Sequence, residues 1–445
     1  MKKTFRIYSQ VIMGVMKRHK RLFLISLVMG IGFFWLTPVL LSYVPLQRKT
    51  NRIGVVGRYD EKNLPQYIIN NLSIGLTQID ETGQPYPGLA KNWEAAEDGT
   101  VWTFHLDTDL TWSDKQPIQA GDIHYNFDEV QTEVVDPATV RFVLPEPFGP
   151  FPVLVSRPLF KDGLIGQRYY RLAQAQRNGA YFEILVLRPI SRNSTLPILE
   201  YHFYGTEEAA RLAFKLGQID EIKDLREPYG FDGYTNALLE QKYDYQSLVG
   251  LYFNMNDDHP ELQQKQIRQG LAYAIRDKSF DNPRAISAIS DVSWAYNPDV
   301  KPYDYDLERA RDFLGSDDNP NSMSITLTTT AELLPVAEQI AEDWKVAGVE
   351  TTIKVSNVIP QNFDALLIKQ EIPQDPDQYA LWHSTQPANI FSYKSPKIDK
   401  LLEDGRRTIK PEDRKVIYHD FQRFLNEDVP AIFLYHPSMY DVARK

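Results

Sequence analysis

Cysteine is absent from the 445 residues. That excludes disulfide frameworks, thiolate zinc sites, iron–sulfur clusters, cysteine nucleophiles and lipid attachment through cysteine. Positive charge is scarce over most of the chain. The first 50 residues hold nine of the 49 Lys and Arg and none of the 59 Asp and Glu, leaving 40 basic against 59 acidic residues, a net −19, over residues 51–445. So acidic a body repels nucleic acid and anionic lipid surfaces, whose binding needs Lys and Arg clusters on phosphates, and DNA and RNA are not expected as partners. Motifs of chemistry are missing as well: no G-x-S-x-G elbow, no P-loop, no dinucleotide glycine fingerprint and no EF-hand loop. None of the eight His stands at i+3 or i+4 from another, so no helical zinc pair is present. Neither an enzyme nor a metal or other cofactor is expected.

What is present is enough for a large fold. At roughly 100 to 200 residues per domain the length allows about two to four domains, and 43% hydrophobic with 24% charged residues excludes wholesale disorder. Leu22 to Val44 is an uncharged run of 23 residues, which at about 1.5 Å per residue spans a hydrocarbon core of about 30 Å. A cleavable signal has a shorter apolar stretch and a small-x-small exit, whereas this run ends Ser42, Tyr43, Val44, Pro45. The expectation is an uncleaved anchor at 22–44. Seven of the nine early positive charges precede it, which places 1–21 in the cytoplasm and the acidic body outside the cell membrane. A tether follows at 45–51.

Beyond the tether, strand-like and helix-like stretches alternate without repeats, the pattern of an α/β fold. Strands are expected at 52–56, 101–106, 140–144, 181–187, 248–254, 324–329, 351–355 and 431–435. Helical periodicity marks 207–216 through Ala210, Ala213 and Phe214. It marks 333–347 through Val336, Ile340 and Trp344, with Gly348 as the stop, and 410–426 through Val416, Phe421, Phe424 and Leu425. The segments 324–329, 333–347 and 351–355 together form one βαβ unit.

One stretch carries a specific signature: Pro87-Gly-Leu-Ala-Lys-Asn-Trp93, Asp98-Gly-Thr-Val-Trp-Thr-Phe-His-Leu106, then Trp112 to Asp122. It resembles the hallmark of the family 5 extracellular solute-binding proteins, the oligopeptide, dipeptide and nickel receptors of ABC importers. The likeness continues in order through Leu216-Gly-Gln-Ile-Asp220, Leu251 to Asn256, Ile267 to Ile275, Tyr305 to Ala310, Asp375-Pro-Asp377, Asp399 to Leu402 and Glu427 to Ile432. It implies a two-lobed periplasmic-binding-protein-like α/β fold of the large peptide-receptor type. The first lobe would be 52–247 plus 427–445 and the second 248–426. The spacing between Phe127 and Asp136, where the family inserts a few tens of residues, implies a reduced lid domain.

The resemblance further implies a membrane-tethered receptor that captures peptides or similar small polar solutes by lobe closure, as a monomer, and serves an ABC permease and its ATPase. It puts Asn254 and Asn256 near the hinge. The cleft would be faced by a loop carrying Glu371, Asp375, Asp377, Tyr379, Trp382, Asn389 and Tyr393. Those residues also read as strand-end and turn positions, and Trp382 as core. Three departures support an alternative, a ligand-free envelope or assembly protein that keeps the fold. The lid is short, Lys115 stands where the hairpin has glycine, implying a rebuilt turn, and Ile372 replaces the Asp that holds a peptide amine, with Glu371 beside it.

Overall fold

The computed structural model describes residues 29–30, 48–191, 193–231, 233–256, 258–315, 323–360 and 362–445. Apart from Met29 and Gly30, the span expected at 22–44 lies outside the described residues, as does the tail 1–21. Among the described residues no helix is long and apolar enough to cross a membrane. Residues 50–194 with 198–445 form one compact unit that holds every strand described.

The first lobe is built on a seven-stranded sheet. Its strands run, edge to edge, Ala237–Tyr243, Ser438–Arg444, Glu221–Leu225, Thr50–Val56, Ile198–Tyr204, Tyr181–Pro189 and Tyr170–Asn178. Its centre is parallel, Thr50–Val56 pairing with both Ile198–Tyr204 and Glu221–Leu225. Parallel neighbours need a crossover, and the helix Glu207–Lys215 provides it. Thr206 caps that helix by accepting from Ala209 N at 3.2 Å. Glu207 and Glu208 begin it and Lys215 ends it, signs that suit the helix dipole. Ala210, Ala213 and Phe214 are buried against Ile219 and Ile222.

In the second lobe the five strands order as Val349–Val355, Met323–Thr329, Ala365–Glu371, Ser247–Phe253 and Ala431–Tyr435. The expected βαβ unit is there: Met323–Thr329 and Val349–Val355 pair in parallel around the helix Leu334–Val346. All seven residues of Ser247–Phe253 are buried. With a side-chain period of two, Val249, Leu251 and Phe253 enter one core while Leu248 and Tyr252 enter another. Each large apolar side chain sunk this way contributes about 1.5 to 3 kcal/mol. The helix Pro411–Asp428 keeps Phe421, Phe424 and Leu425 of its expected face against the core, but not Val416. Val416 is exposed, and the inward stripe is Arg414, Tyr418, Phe421, Gln422 and Leu425. Two of those five are polar, so hydropathy alone misses part of the face. Gln422 is satisfied by Ala295 O and Tyr418 O as acceptors and by Ser287 and Asn297 as donors.

Between helix Gln66–Leu72 and strand Tyr170–Asn178 the chain forms a further small core. Its four-stranded sheet, ordered Ala90–Ala95, Val101–Leu106, Thr139–Val143, Gln131–Asp136, buries Trp102, Phe104, Trp112, Phe142 and Phe151. The turn at Lys115 is not rebuilt. Lys115 itself adopts φ 70° and its N–H donates to Trp112 O at 2.8 Å, so lysine occupies the left-handed position. Gly149 lets this subdomain touch the second lobe. Its N–H donates to Arg406 O at 2.6 Å, and a Cβ there would collide with Thr408 O.

The chain changes lobes twice, at 244–246 and at 436–437. The return crossing is therefore not at 427, because Ala431–Tyr435 ladders onto Ser247–Phe253 and so belongs to the second lobe.

Candidate functional site

Two short segments join the lobes side by side. Asp244 N donates to Pro437 O at 2.9 Å and Ser247 N to Asp244 O at 3.2 Å. Asp244 also holds Lys369 Nζ at 3.0 Å, and Ile372 N reaches back to Gln246 O at 2.7 Å. His436, fully buried, lies 2.7 Å through Nδ1 from Ser247 O. A carbonyl only accepts, so Nδ1 carries the hydrogen and Nε2 faces the Asp291 carboxylate at 3.8 Å. The Tyr245 ring packs 5.0 Å from the imidazole.

Register then decides what surrounds the crossings. In the first lobe the parallel strands Thr50–Val56, Ile198–Tyr204 and Glu221–Leu225 end on the side of the crossover. In the second, Met323–Thr329, Ala365–Glu371 and Ala431–Tyr435 do the same. Open α/β sheets offer ligand crevices at such carboxyl ends. At or just beyond these strand ends stand Tyr59, Asp224 and Arg226 on one lobe and Glu332 and Tyr435 on the other. Arg226 Nη1 meets Glu332 Oε2 across the lobes at 2.8 Å, while its backbone N–H donates to Glu207 Oε1 at 3.0 Å. A second bridge runs from Trp294 N to Thr82 O at 3.0 Å.

Electrostatics set this cluster apart. Asp224 adopts φ 57° in an irregular stretch between Ile222 and Leu225, and its residue is exposed. Loss of surrounding water pushes its carboxyl up, and the Asp441 charge adds to the effect. Burial would also raise Asp441, but Lys223 at 2.7 Å, Lys242 and the Asp224 N–H outweigh it and hold that carboxyl low. The Tyr59 phenol is raised by burial and then by Asp224. Tyr435 is pushed up to about 12 by burial and by Glu332. The arrangement is a polar, partly desolvated wall with both signs of charge, suited to binding a small polar molecule.

The residues anticipated from sequence lie mostly within the second lobe, where Asn256 and Tyr393 line a cavity of about 450 Å³ together with Arg268 and Asp428. Asn254 and Asn256 follow the far end of Ser247–Phe253, away from the crossings. Asn254 is buried with Nδ2 donating to Phe363 O at 2.9 Å, and Asn256 N donates to Asn254 Oδ1 at 3.2 Å. Asp375 is buried in a two-pronged pair with Arg414, at 3.0 and 2.5 Å. Asp377 accepts from Tyr379 N and from Arg406 Nε at 2.9 Å, and burial raises its carboxyl in spite of that arginine. Tyr379 is half-buried between His383, ring to ring 4.2 Å, and the Arg406 guanidinium at 4.0 Å. Trp382 is core, packed against Tyr252, Phe391, Tyr393 and Phe433. Asn389 clamps Tyr393 through both backbone groups, and Tyr393 OH donates to Asp428 Oδ2 at 2.8 Å. Glu371 alone of the nine is exposed beside the crossing, opposite Ser247 in the ladder.

Sequence reasoning passed over Tyr59, Asp224, Arg226 and Glu332. The signal was available in part: Leu216-Gly-Gln-Ile-Asp220 follows a helix, so a parallel strand was due at 221–225, and its carboxyl end is where a crevice forms.

The family model described as bacterial extracellular solute-binding proteins, family 5 Middle, matches residues 84–175 and 191–389, and the chain belongs to that family. The dipeptide-binding protein of Escherichia coli (strain K12) is 23% identical over 485 residues, covering 87% of this chain and 86% of the relative. Two solved structures share the fold. The ABC transporter substrate-binding protein CtaP of Listeria monocytogenes has TM-score 0.76 at 19% identity, covering 89% of this chain and 94% of its own. NikZ of Campylobacter jejuni, in complex with Ni(L-His), has TM-score 0.70 at 22% identity, with the same coverage.

Proposed function

We propose that the protein is the extracytoplasmic receptor of an ABC importer, held to the membrane through residues 22–44, which captures peptides or similar small polar solutes by closing its two lobes. The observation that carries this reading is the pair of sheets whose carboxyl ends meet at two adjacent crossings, walled by Tyr59, Asp224 and Arg226 on one lobe and Glu332 and Tyr435 on the other. The relatives named as dipeptide-binding and di- or tripeptide-binding proteins support the solute class. Work is done by binding alone: a solute that bridges Asp224 and Arg226 to the second lobe replaces the Arg226–Glu332 contact and holds the lobes together. The wall favours a solute with both an amine and a carboxylate.

A thermal screen with di- to pentapeptide pools tests the reading. A solute that binds the native state alone raises its stability by about 2.7 kcal/mol at a hundredfold excess over Kd, and Asp224→Asn and Arg226→Gln should each reduce the response. No shift with any pool would favour the ligand-free envelope protein instead.

A further inference from the structure

Two polar side chains of the second lobe are buried with nothing to bond. Tyr252 is 0% and Gln378 1% exposed, yet neither the Tyr252 hydroxyl nor the Gln378 amide nitrogen has a hydrogen-bond partner among the described residues. Buried polar groups are nearly always paired, because leaving water without gaining a partner costs free energy. Phenylalanine and leucine would avoid that cost. Both groups line one cavity of about 10 Å³, the room of a single water-sized group. Leu248, Gln370, Trp382 and Phe433 are also part of its wall.

A glycine lets the tyrosine reach this place. Side chains of Ser247–Phe253 alternate between the two faces of the sheet, so Leu248, Gly250 and Tyr252 share one face. A Cβ at Gly250 would stand 3.0 Å from the Tyr252 ring and 3.1 Å from Leu248 Cδ1. The ring therefore lies over Gly250 and carries its hydroxyl back toward the crossing at 244–246. Gln370 pairs with Leu248 in the ladder and turns to the same face, whereas Glu371, next in the strand, turns to the other. The polar groups at the cavity, one phenol and two carboxamides, are thus uncharged. Its position is beside the proposed cleft. Phe433 stands two residues before the wall residue Tyr435, and Ile372, just past Gln370, is bonded to Gln246 of the crossing. The small subdomain reaches the same edge, where Thr82 O accepts from Trp294 N and a Cβ at Gly83 would collide with Gln374 O.

We propose that this cavity is a hydrogen-bonding pocket of the solute site and that it takes a hydroxyl. A hydroxyl is of water size, accepts from the Gln378 amide and exchanges a hydrogen bond with the Tyr252 phenol. The proposal rests on the reading that solutes bind between the lobes, and it narrows their class to hydroxyl-bearing molecules, Ser- or Thr-containing peptides among them. A charged side-chain end finds no counter-charge in the pocket and is rejected.

Threonine and valine exchange a hydroxyl for a methyl at nearly equal volume, so the pair isolates this contact. The probes are di- and tripeptides of alanine carrying Thr or Val at each position in turn, with Kd read by calorimetry and thermal shift on the full chain. At one position Thr should bind about tenfold more tightly than Val, because a site built to hydrogen-bond a hydroxyl is left with unpaired groups by the analogue that lacks it. Tyr252→Phe and Gln378→Met should each bring that ratio to within about twofold while binding the Val peptide as the unmodified chain does. Tyr252→Phe deletes a single oxygen and should not lower the melting temperature of the solute-free protein, so it decides the matter should Gln378→Met fail to fold. Thr no tighter than Val at every position, or a preference that Tyr252→Phe leaves intact, overturns the pocket while solute capture stands. No shift with these probes or with the broader peptide pools overturns the importer reading, and the pocket with it.

Discussion

Asp224 and Asp441 are hydrogen-bonded neighbours whose carboxyls move in opposite directions. The lowered Asp441 contributes stability above the unfolded carboxyl value of about 3.9 and loses it as the pH falls through its folded value. The raised Asp224 has the reverse sign: folding disfavours its charge at neutral pH, and the cost disappears as the pH falls through its raised value. Asp441→Asn should therefore cost roughly 1.5 to 3 kcal/mol at pH 7, with the difference shrinking as the pH falls below about 3.9. Asp224→Asn should raise the melting temperature at pH 7, with a gain that fades on acidification, while weakening solute binding. Melting curves from pH 3 to 8 check both, and a parallel response of the two variants would refute the opposite placement. Lys115 offers a simpler test. Its left-handed backbone at φ 70° costs a lysine on the order of 1 kcal/mol that glycine avoids, so Lys115→Gly should stabilise the protein by about that amount in urea denaturation.

The stretch from Glu371 to Tyr393 shows how an element takes its role from what packs on it. Viewed along the chain, carboxylates and aromatics together suggest a ligand loop. In the fold, Arg414 and Arg406 from two flanking helices neutralise Asp375 and Asp377, and Trp382 fills the core beneath. Trp382→Ala should cost roughly 3 to 5 kcal/mol of folding stability. Asp375→Asn, which leaves a buried guanidinium without its counter-charge, should cost a similar 3 to 5 kcal/mol. Both effects should appear in denaturant melts of solute-free protein. Loss of solute affinity with an unchanged melt would return the stretch to the binding wall. Strands show the same dependence on partners. Val101–Leu106 and Ala431–Tyr435 are legible because one or both faces are apolar and buried. Tyr170–Asn178 is not, since all but two of its nine residues are exposed and backbone pairing alone makes it a strand.

At the scale of the molecule, the acidic body is expected to stand without its amino-terminal segment. Among the described residues, 50–445 contain every sheet and all five buried clusters, and their net charge resists association. That span, expressed alone, should be monomeric by light scattering and melt cooperatively. Aggregation would show that the boundary at about residue 50 is wrong.

Local pattern was enough to determine the α/β class, the βαβ unit of the second lobe, the apolar run at the amino terminus and the charge contrast that follows it. Each is written in neighbours a few residues apart, as period, sign or a helix stop. The order of motifs from Pro87 to Ile432 was likewise sufficient for the family. The proposed binding wall was not legible. Tyr59, Asp224, Arg226 and Glu332 are up to 273 positions apart, and sheet register alone brings them to one side of two crossings. The crossings themselves follow from ladder partners, which place Ala431–Tyr435 in the second lobe and Ser438–Arg444 in the first. Whether a carboxylate faces solute or an arginine depends on which helix packs over it, and that is decided by long-range packing, which the local pattern does not encode.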